Sequence, residues 1–238
     1  MNEGYSYPGD ELALFAQALN WKKYFSGTIR PFIMGDVLEV GAGIAATTPY
    51  LLNKEVRSWT MLEPDRRLCI QIEKKMDQQQ LPSYCKSICG DLRSLDPQQH
   101  YDTILYIDVL EHLQDDQGEL RRAVEWMKPR GRLIVLAPAH QSLFSKFDHS
   151  IGHLRRYEKG SLRNIVDNSK LKEEHLFYLD SMGCLSSLAN KWMLRQSMPT
   201  LKQIHFWDTK LIPISRVTDK LFGLTIGKTI IGIWRKND

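Results

Sequence analysis

Cysteine is scarce in this chain: four in 238 residues, Cys69, Cys85, Cys89 and Cys184. So few, so unevenly spaced, they exclude a disulfide framework and leave free thiols as the expectation. Cys85 and Cys89 have the wrong spacing for a zinc pair and are expected as buried thiols on one strand face, with no metal required. Long apolar runs are missing too. The longest, over 221–234, is broken by Lys228 and falls short of the roughly 18 residues that span a bilayer. The first residues, MNEGYSYPGDE, have neither the basic start nor the apolar run of a secretory signal, which sets the expectation of a cytoplasmic protein. A large excess of one charge is lacking overall, at +4 net, but not locally. From Ser186 onward nine Lys/Arg face three Asp/Glu, while the first 185 residues carry 23 against 25. This basic tail, with Trp192, His205, Phe206, Trp207 and Trp234 among its lysines, suits an anionic lipid surface, a nucleic acid or a phosphorylated substrate; a merely solvated face is the plainer alternative.

What is present is material for one good-sized domain, with 42% of residues hydrophobic and 25% charged. Apolar runs of strand length alternate with helix-period segments, the pattern of a parallel sheet covered by helices. Strands are predicted at 37–41, 58–63, 84–91, 102–108 and 132–138, and less distinctly at 174–179 and 228–235. Leu12, Phe15, Ala16 and Leu19 fall on one helix face behind Asp10 as N-cap, and Leu68, Ile72 and Met76 repeat every fourth residue. Asp115, Asp116 and Glu119 suit the start of a helix whose stripe is Leu120, Ala123, Val124 and Met127, before Pro129 and Gly131 stop it. Residues 138–157 fit neither period, and their length points to function.

The first strand runs into Glu39-Val40-Gly41-Ala42-Gly43, a glycine turn expected to open a helix. Gly41 and Gly43 allow a tight turn and close approach of a ligand, while the amides of the following helix suit a negative group. Glu39 would repel a pyrophosphate but can engage an ammonium group. Glu63 and Pro64 close the second strand, where an acid can accept both hydroxyls of a ribose. Asp91, beside Leu92, closes the third; it either accepts the amine of an adenine or caps the next turn. The fourth ends in Asp108-Val109-Leu110-Glu111-His112.

Together these residues resemble the class I S-adenosylmethionine-dependent methyltransferases. The resemblance implies an α/β, Rossmann-like, seven-stranded and mostly parallel sheet, with helices on both faces and an antiparallel last strand. It implies S-adenosyl-L-methionine as cofactor, its methionine part at Glu39, Gly41, Ala42 and Gly43, its ribose at Glu63 and Pro64, its adenine at Asp91 and Leu92, and Asp108 and Val109 under the sulfonium. Ala45 departs from the family, where a third glycine is common. The expected layout is a single domain over 1–238: a helical flap over 1–34, carrying Tyr5, Tyr7, Trp21 and Tyr24; a cofactor-binding core over 35–183; a helical insertion or lid over 184–227; and the last strand over 228–238. Trp192, Met193, Leu194, Phe206, Trp207, Leu211 and Ile212 are apolar material for that lid or for a membrane-surface element. A nicotinamide-dependent oxidoreductase is the competing reading, because Gly41-x-Gly43-x-x-Ala46 with Glu63 also fits the dinucleotide pattern. A noncatalytic relative is the third.

Methyl transfer asks the protein for alignment and, with an O or N acceptor, for a base. His140, after the fifth strand, is the first choice, followed by His112 and His153. Around it, Gln141, His149, Arg155, Arg156 and Tyr157 are candidate substrate contacts. The segment Gly152-His153-Leu154-Arg155-Arg156-Tyr157 is similar to that of a bacterial subgroup with a Gly-His-x-Arg-Arg-Tyr core linked with surface-polysaccharide genes. Arg155 and Arg156 either clamp an anion or hold the loop through Asp148. The expected partner is a small-molecule or carrier-linked acceptor, with peripheral contact to the inner membrane surface through the basic tail. Specific nucleic-acid recognition is not expected, since the fourth strand lacks the motif that holds a flipped base.

Overall fold

The computed structural model describes residues 7, 9, 11–166, 170–191 and 198–238. Tyr5, the expected cap Asp10, and Trp192, Met193 and Leu194 lie outside the described residues. Seven strands, β1 (Gly35–Val40), β2 (Val56–Glu63), β3 (Cys85–Cys89), β4 (Tyr101–Ile107), β5 (Met127–Pro138), β6 (Leu171–Leu179) and β7 (Thr229–Lys236), form one sheet in the order β3-β2-β1-β4-β5-β7-β6. Pairing is parallel from β3 through β5, and β7 runs antiparallel to both β5 and β6. Each expected strand segment is in this sheet. The two less distinct ones needed each other: β7 is buried along Thr229 to Trp234 because β5 and β6 flank it.

Helices α1 (Glu11–Phe15), α2 (Leu19–Ile29), α3 (Thr48–Leu51), α4 (Arg66–Asp77), α5 (Asp116–Glu125), α6 (Lys146–Ser150), α7 (Lys159–Ile165), α8 (Ser181–Ala189), α9 (Leu201–Phe206) and α10 (Ile212–Leu221) surround it. Strand alternation sends side chains to two cores. In β7, Ile233 joins a cluster with Trp21, Phe25 and Trp59, whereas Trp234 joins one with Tyr106, Leu120 and Val124.

Three local expectations are corrected. The glycine turn leads through irregular backbone into α3, which is a single turn, so no long helix aims its amides at a ligand there. Ala45 in that passage takes φ 51°. Second, α5 ends at Glu125, and Met127 instead opens β5. Pro129 and Gly131 fall where the β4 pairing skips from Met127 to Arg132, an irregularity that accommodates both. Third, only Cys85 of its pair is buried; Cys89, at the end of the edge strand β3, is exposed.

Candidate active site

The chain leaves β1 for β2 and β3 on one side and returns to β4 and β5 on the other, so the loops after β1 and β4 diverge at the strand ends. A cavity of about 950 Å³ occupies that crevice, at the upper end of the roughly 300–1,000 Å³ usual for small-ligand sites. Gly41, Ala42, Gly43, Glu39, Glu63, Pro64, Asp91, Asp108 and Val109 all line it. Gly41 has φ +70°, and a Cβ there would sit 2.6 Å from Val109 Cγ2, so only glycine lets the two loops pass. A Cβ at Gly43 would meet nothing closer than Leu12 at 3.7 Å.

Two buried acids brace this wall. Glu63 accepts from the Gly43 amide at 2.8 Å and the Asp65 amide at 2.9 Å, tying the β1 and β2 loops together while each oxygen keeps capacity for a further donor. Burial raises its pKa. Glu39 accepts from Thr48 Oγ1 at 2.7 Å and Trp59 Nε1 at 2.8 Å. Burial outweighs those donors and pushes its carboxyl up to about 7.

At β3 the cap alternative describes Asp91. Its carboxylate accepts from the Arg93 amide and guanidinium, and Arg93 holds it below the usual range. Leu92 is corrected: its side chain is buried in the core cluster that contains Leu62 and Tyr106, away from the cavity. Asp108 adopts φ 53° at the end of β4 and lines the cavity, where desolvation by the surrounding chain raises its pKa to about 6.

Around the candidate bases the structure redraws the expectation. His140 does not line the cavity; its ring packs on Tyr178 with centroids 4.7 Å apart. Its backbone, at φ 63°, turns the side chain away where Ala139 bridges to Tyr157. His112 and His153 do line the cavity, their rings 4.7 Å apart. Burial, assisted by His153, lowers His112 to about 4.

Of the substrate candidates, only Arg156 lines the cavity. It is already paired, with Nε 2.8 Å and Nη2 3.0 Å from Asp148. Arg155 pairs with Asp116 at 2.8 Å, and Tyr157, fully buried, donates its hydroxyl to Asp116 at 2.7 Å. Gln141 accepts from the Arg156 amide, and exposed His149 packs against Phe144 beside a second, shallower depression. The anion clamp is therefore corrected: buried carboxylates take both guanidiniums, because neither charge is stable there alone.

Asp148 organises this loop. It caps α6, accepting from the Ser145 amide and hydroxyl, and receives His153 Nδ1 at 3.0 Å as well as Arg156. Burial alone would raise its pKa, but these partners hold it well below the usual range. Glu111, in the segment that follows β4, is fully buried beside both histidines, a position that nothing in its sequence context signals.

Above the cavity, α1 and α2 meet the tail. Tyr7, Phe15, Trp21, Phe206 and Trp207 line its roof, and Trp207 packs on Trp21 and Phe15 at 5.8 and 6.2 Å. Buried acids fasten the contact. Asp208 accepts from the Asn20 and Trp21 amides, while Asp180 accepts from Trp207 Nε1 at 2.8 Å and Ser215 Oγ at 2.6 Å. Asp219 accepts from Tyr24 and from the Asp180 and Ser181 amides. Asp208 and Asp219 are thus structural, and of the tail's bases Lys228 turns inward, 3.9 Å over the Trp207 ring and 3.6 Å from Asp180, while Lys210, Arg216 and Lys220 are exposed.

A family model described as "Methyltransferase domain" matches residues 38–133. The (S)-coclaurine N-methyltransferase of Papaver somniferum is 27% identical over 108 residues, which is 45% of this chain and 30% of that protein. The chain therefore spans under a third of that relative's length. Among solved structures, the N-methyltransferase NodS of Bradyrhizobium japonicum in complex with S-adenosyl-L-homocysteine superposes with TM-score 0.57 at 12% identity, over 94% of this chain and 88% of that one. An S-adenosylmethionine-dependent methyltransferase from Clostridium acetobutylicum gives 0.58 at 11% identity, over 96% of each chain. The [4+2]-cyclase SpnF gives 0.64 at 14% identity, over 100% of this chain and 87% of that one. Residues 38–133 thus match a methyltransferase domain, and the chain as a whole shares the fold of solved S-adenosylmethionine-dependent methyltransferases.

Proposed function

We propose that this protein transfers a methyl group from S-adenosylmethionine to an oxygen or nitrogen of a small-molecule or carrier-linked acceptor. The observation that carries the reading is one cavity lined at one end by Gly41, Gly43 and Glu63 and at the other by His112 and His153. The residues present fit the cofactor: Glu63 has acceptor capacity left for ribose hydroxyls, Gly43 puts no side chain into the cavity, and Glu39 lies buried where an ammonium would neutralise it. When bound, the cofactor supplies a methyl group on a sulfonium leaving group. The chain's own work is to align the acceptor and exclude water beneath the aromatic roof of Trp21, Phe206 and Trp207. His112 and His153 replace His140 as the groups beside the acceptor. Fold alone does not fix chemistry, as the likeness to a cyclase illustrates. The test is calorimetric titration with S-adenosylhomocysteine, with NAD as matched control. Binding of the first alone supports the reading; binding of NAD alone overturns it.

The finer part of the proposal is an acceptor presented at an anionic membrane surface. Nine of the fourteen exposed large apolar side chains among the described residues fall within 185–226, including Leu185, Phe206, Val217, Leu221, Phe222 and Ile226. Lys210, Arg216 and Lys220 share that stretch, so apolar and basic groups lie together as interfacial binding requires. No helix among the described residues is long and apolar enough to cross a membrane. Sedimentation with vesicles containing phosphatidylglycerol is expected to deplete the protein from solution, and replacement of Leu221 and Phe222 by Ser is expected to restore it. Equal recovery with and without vesicles would sink the membrane-surface element.

A further inference from the structure

The side chains of Glu111, His112 and His153 converge in the cavity wall, and we propose that they form a binding site for a divalent first-row cation, zinc being the best match. The inference deepens the methyl-transfer reading and rests on it for one consequence, that the acceptor group beside the site is an oxygen. One ligand atom from each residue lies within 4.8 Å of the others, and His153 Nε2 is 3.7 Å from Glu111 Oε1. A tetrahedral zinc with bonds of about 2.0–2.1 Å spaces its ligands about 3.3 Å apart. A closure of up to about 1.5 Å across the cluster meets that requirement.

Two independent features point to a cation. Glu111 is fully buried, and neither of its oxygens has a hydrogen-bond partner; the buried Nδ1 of His112 has none either. A carboxylate taken out of water without donors is strongly disfavoured, and a bound cation removes that conflict for both residues at once. The second feature is the outer shell. His153 uses Nδ1 on the Asp148 carboxylate at 3.0 Å, which fixes its ring and leaves Nε2 for the cluster. That carboxylate is itself held by Arg156. A carboxylate behind a ligating imidazole is the usual means of orienting it.

Two imidazoles and one carboxylate suit a borderline cation rather than magnesium or calcium. His112 and His153 line the cavity and Glu111 lies behind them, so three protein ligands leave the cavity side open. A cation held that way takes an oxygen ligand and eases loss of its proton. The histidines then act on the acceptor through the cation, not as free bases.

The test uses full-length protein stripped with a chelator, titrated with Zn²⁺ by calorimetry in the absence of cofactor, with Co²⁺ absorption reporting coordination. One equivalent is expected to bind. Glu111→Gln and His153→Asn are each expected to weaken binding by about 100-fold or more, and Asp148→Asn by about 10–100-fold. The pair His140→Ala with His149→Ala is expected to change nothing, which separates the site from scattered surface histidines. Absence of Zn²⁺ binding by the folded protein, or an affinity unmoved by Glu111→Gln, overturns the site. S-adenosylhomocysteine titration of the same variants keeps the two readings apart: cofactor bound without metal removes this site alone, and metal bound without cofactor removes the methyl-transfer reading alone. A variant without a cooperative melt is replaced by His112→Asn, judged on the same terms.

Discussion

The two walls of the cavity satisfy their polar groups differently. On the wall formed by residues 39–91, the chain answers its own acids: buried Glu39 accepts from Thr48 and Trp59, buried Glu63 from two backbone amides, and half-exposed Asp91 from Arg93. On the wall formed by residues 108–156, Asp148 is saturated, but Glu111 and one nitrogen of His112 are left without partners. The first wall folds into its working shape by itself. The second leaves buried polar atoms unanswered, which is what the proposed cation would satisfy.

Breaking the hub of the second wall gives the largest expected effect. Asp148→Asn keeps an acceptor for the Ser145 amide but removes the charge that Arg156 and His153 face inside the protein. Loss of about 3–5 kcal/mol is expected in urea denaturation, the usual cost of leaving a buried charge unpaired. If the walls are independent, affinity for S-adenosylhomocysteine stays within about twofold. A parallel fall in that affinity would show that the loop over 138–157 also supports the cofactor end.

The complementary break is Gly41→Ala. The new methyl group would meet Val109 at 2.6 Å in a left-handed backbone, so S-adenosylhomocysteine affinity is expected to fall about 100-fold or more. Gly43→Ala shares the positive φ, but its methyl group would make only an ordinary contact with Leu12 at 3.7 Å, and a loss of about tenfold is expected. Equal losses at the two positions would mean that backbone strain, not the contact between loops, governs the site.

These walls were also unequally legible in the sequence. Gly41, Gly43, Glu63 and the first five strands announce themselves through local pattern, because a tight turn and a buried strand each constrain adjacent residues. His140 misled because sequence places it just after β5 but does not reveal its φ of 63°, which turns the ring onto Tyr178. The pairing of Arg156 with Asp148, 8 positions away, is one of the two readings the sequence offers, whereas Asp116, 39 positions from Arg155, is brought to it only by the fold. Glu111, Asp180 and Asp219 carry no local signal at all, since what distinguishes a buried acid from a surface one is the chain that covers it. The one-turn α3 was hidden for the opposite reason: the glycine pattern resembles a longer helix start, and only the burial of Thr48 against Glu39 shows where the chain is held.

The smallest and most graded effect lies at Glu39, where the first wall keeps one unspent degree of freedom. Burial raises its carboxyl to about 7 in the free protein. An ammonium bound beside it favours the carboxylate and lowers that value, so ligand binding releases a proton wherever the free protein holds one. Below about pH 7 the free form is largely protonated, and the affinity for S-adenosylhomocysteine is expected to fall with decreasing pH by up to about tenfold per unit. Above it the affinity levels off. The same raised value means that the free protein is more stable with Glu39 protonated and loses that advantage as pH rises from the ordinary glutamate range through about 7. Calorimetry across pH 5.5 to 8.5, a window of about 1.5 units to either side of that value, reads both the affinity and the protons released. Glu39→Gln is expected to flatten the profile at a uniformly weaker affinity. A slope that survives in Glu39→Gln would move the titration to Glu63, whose pKa burial also raises, and would put the ligand's ammonium group at the ribose end of the wall instead.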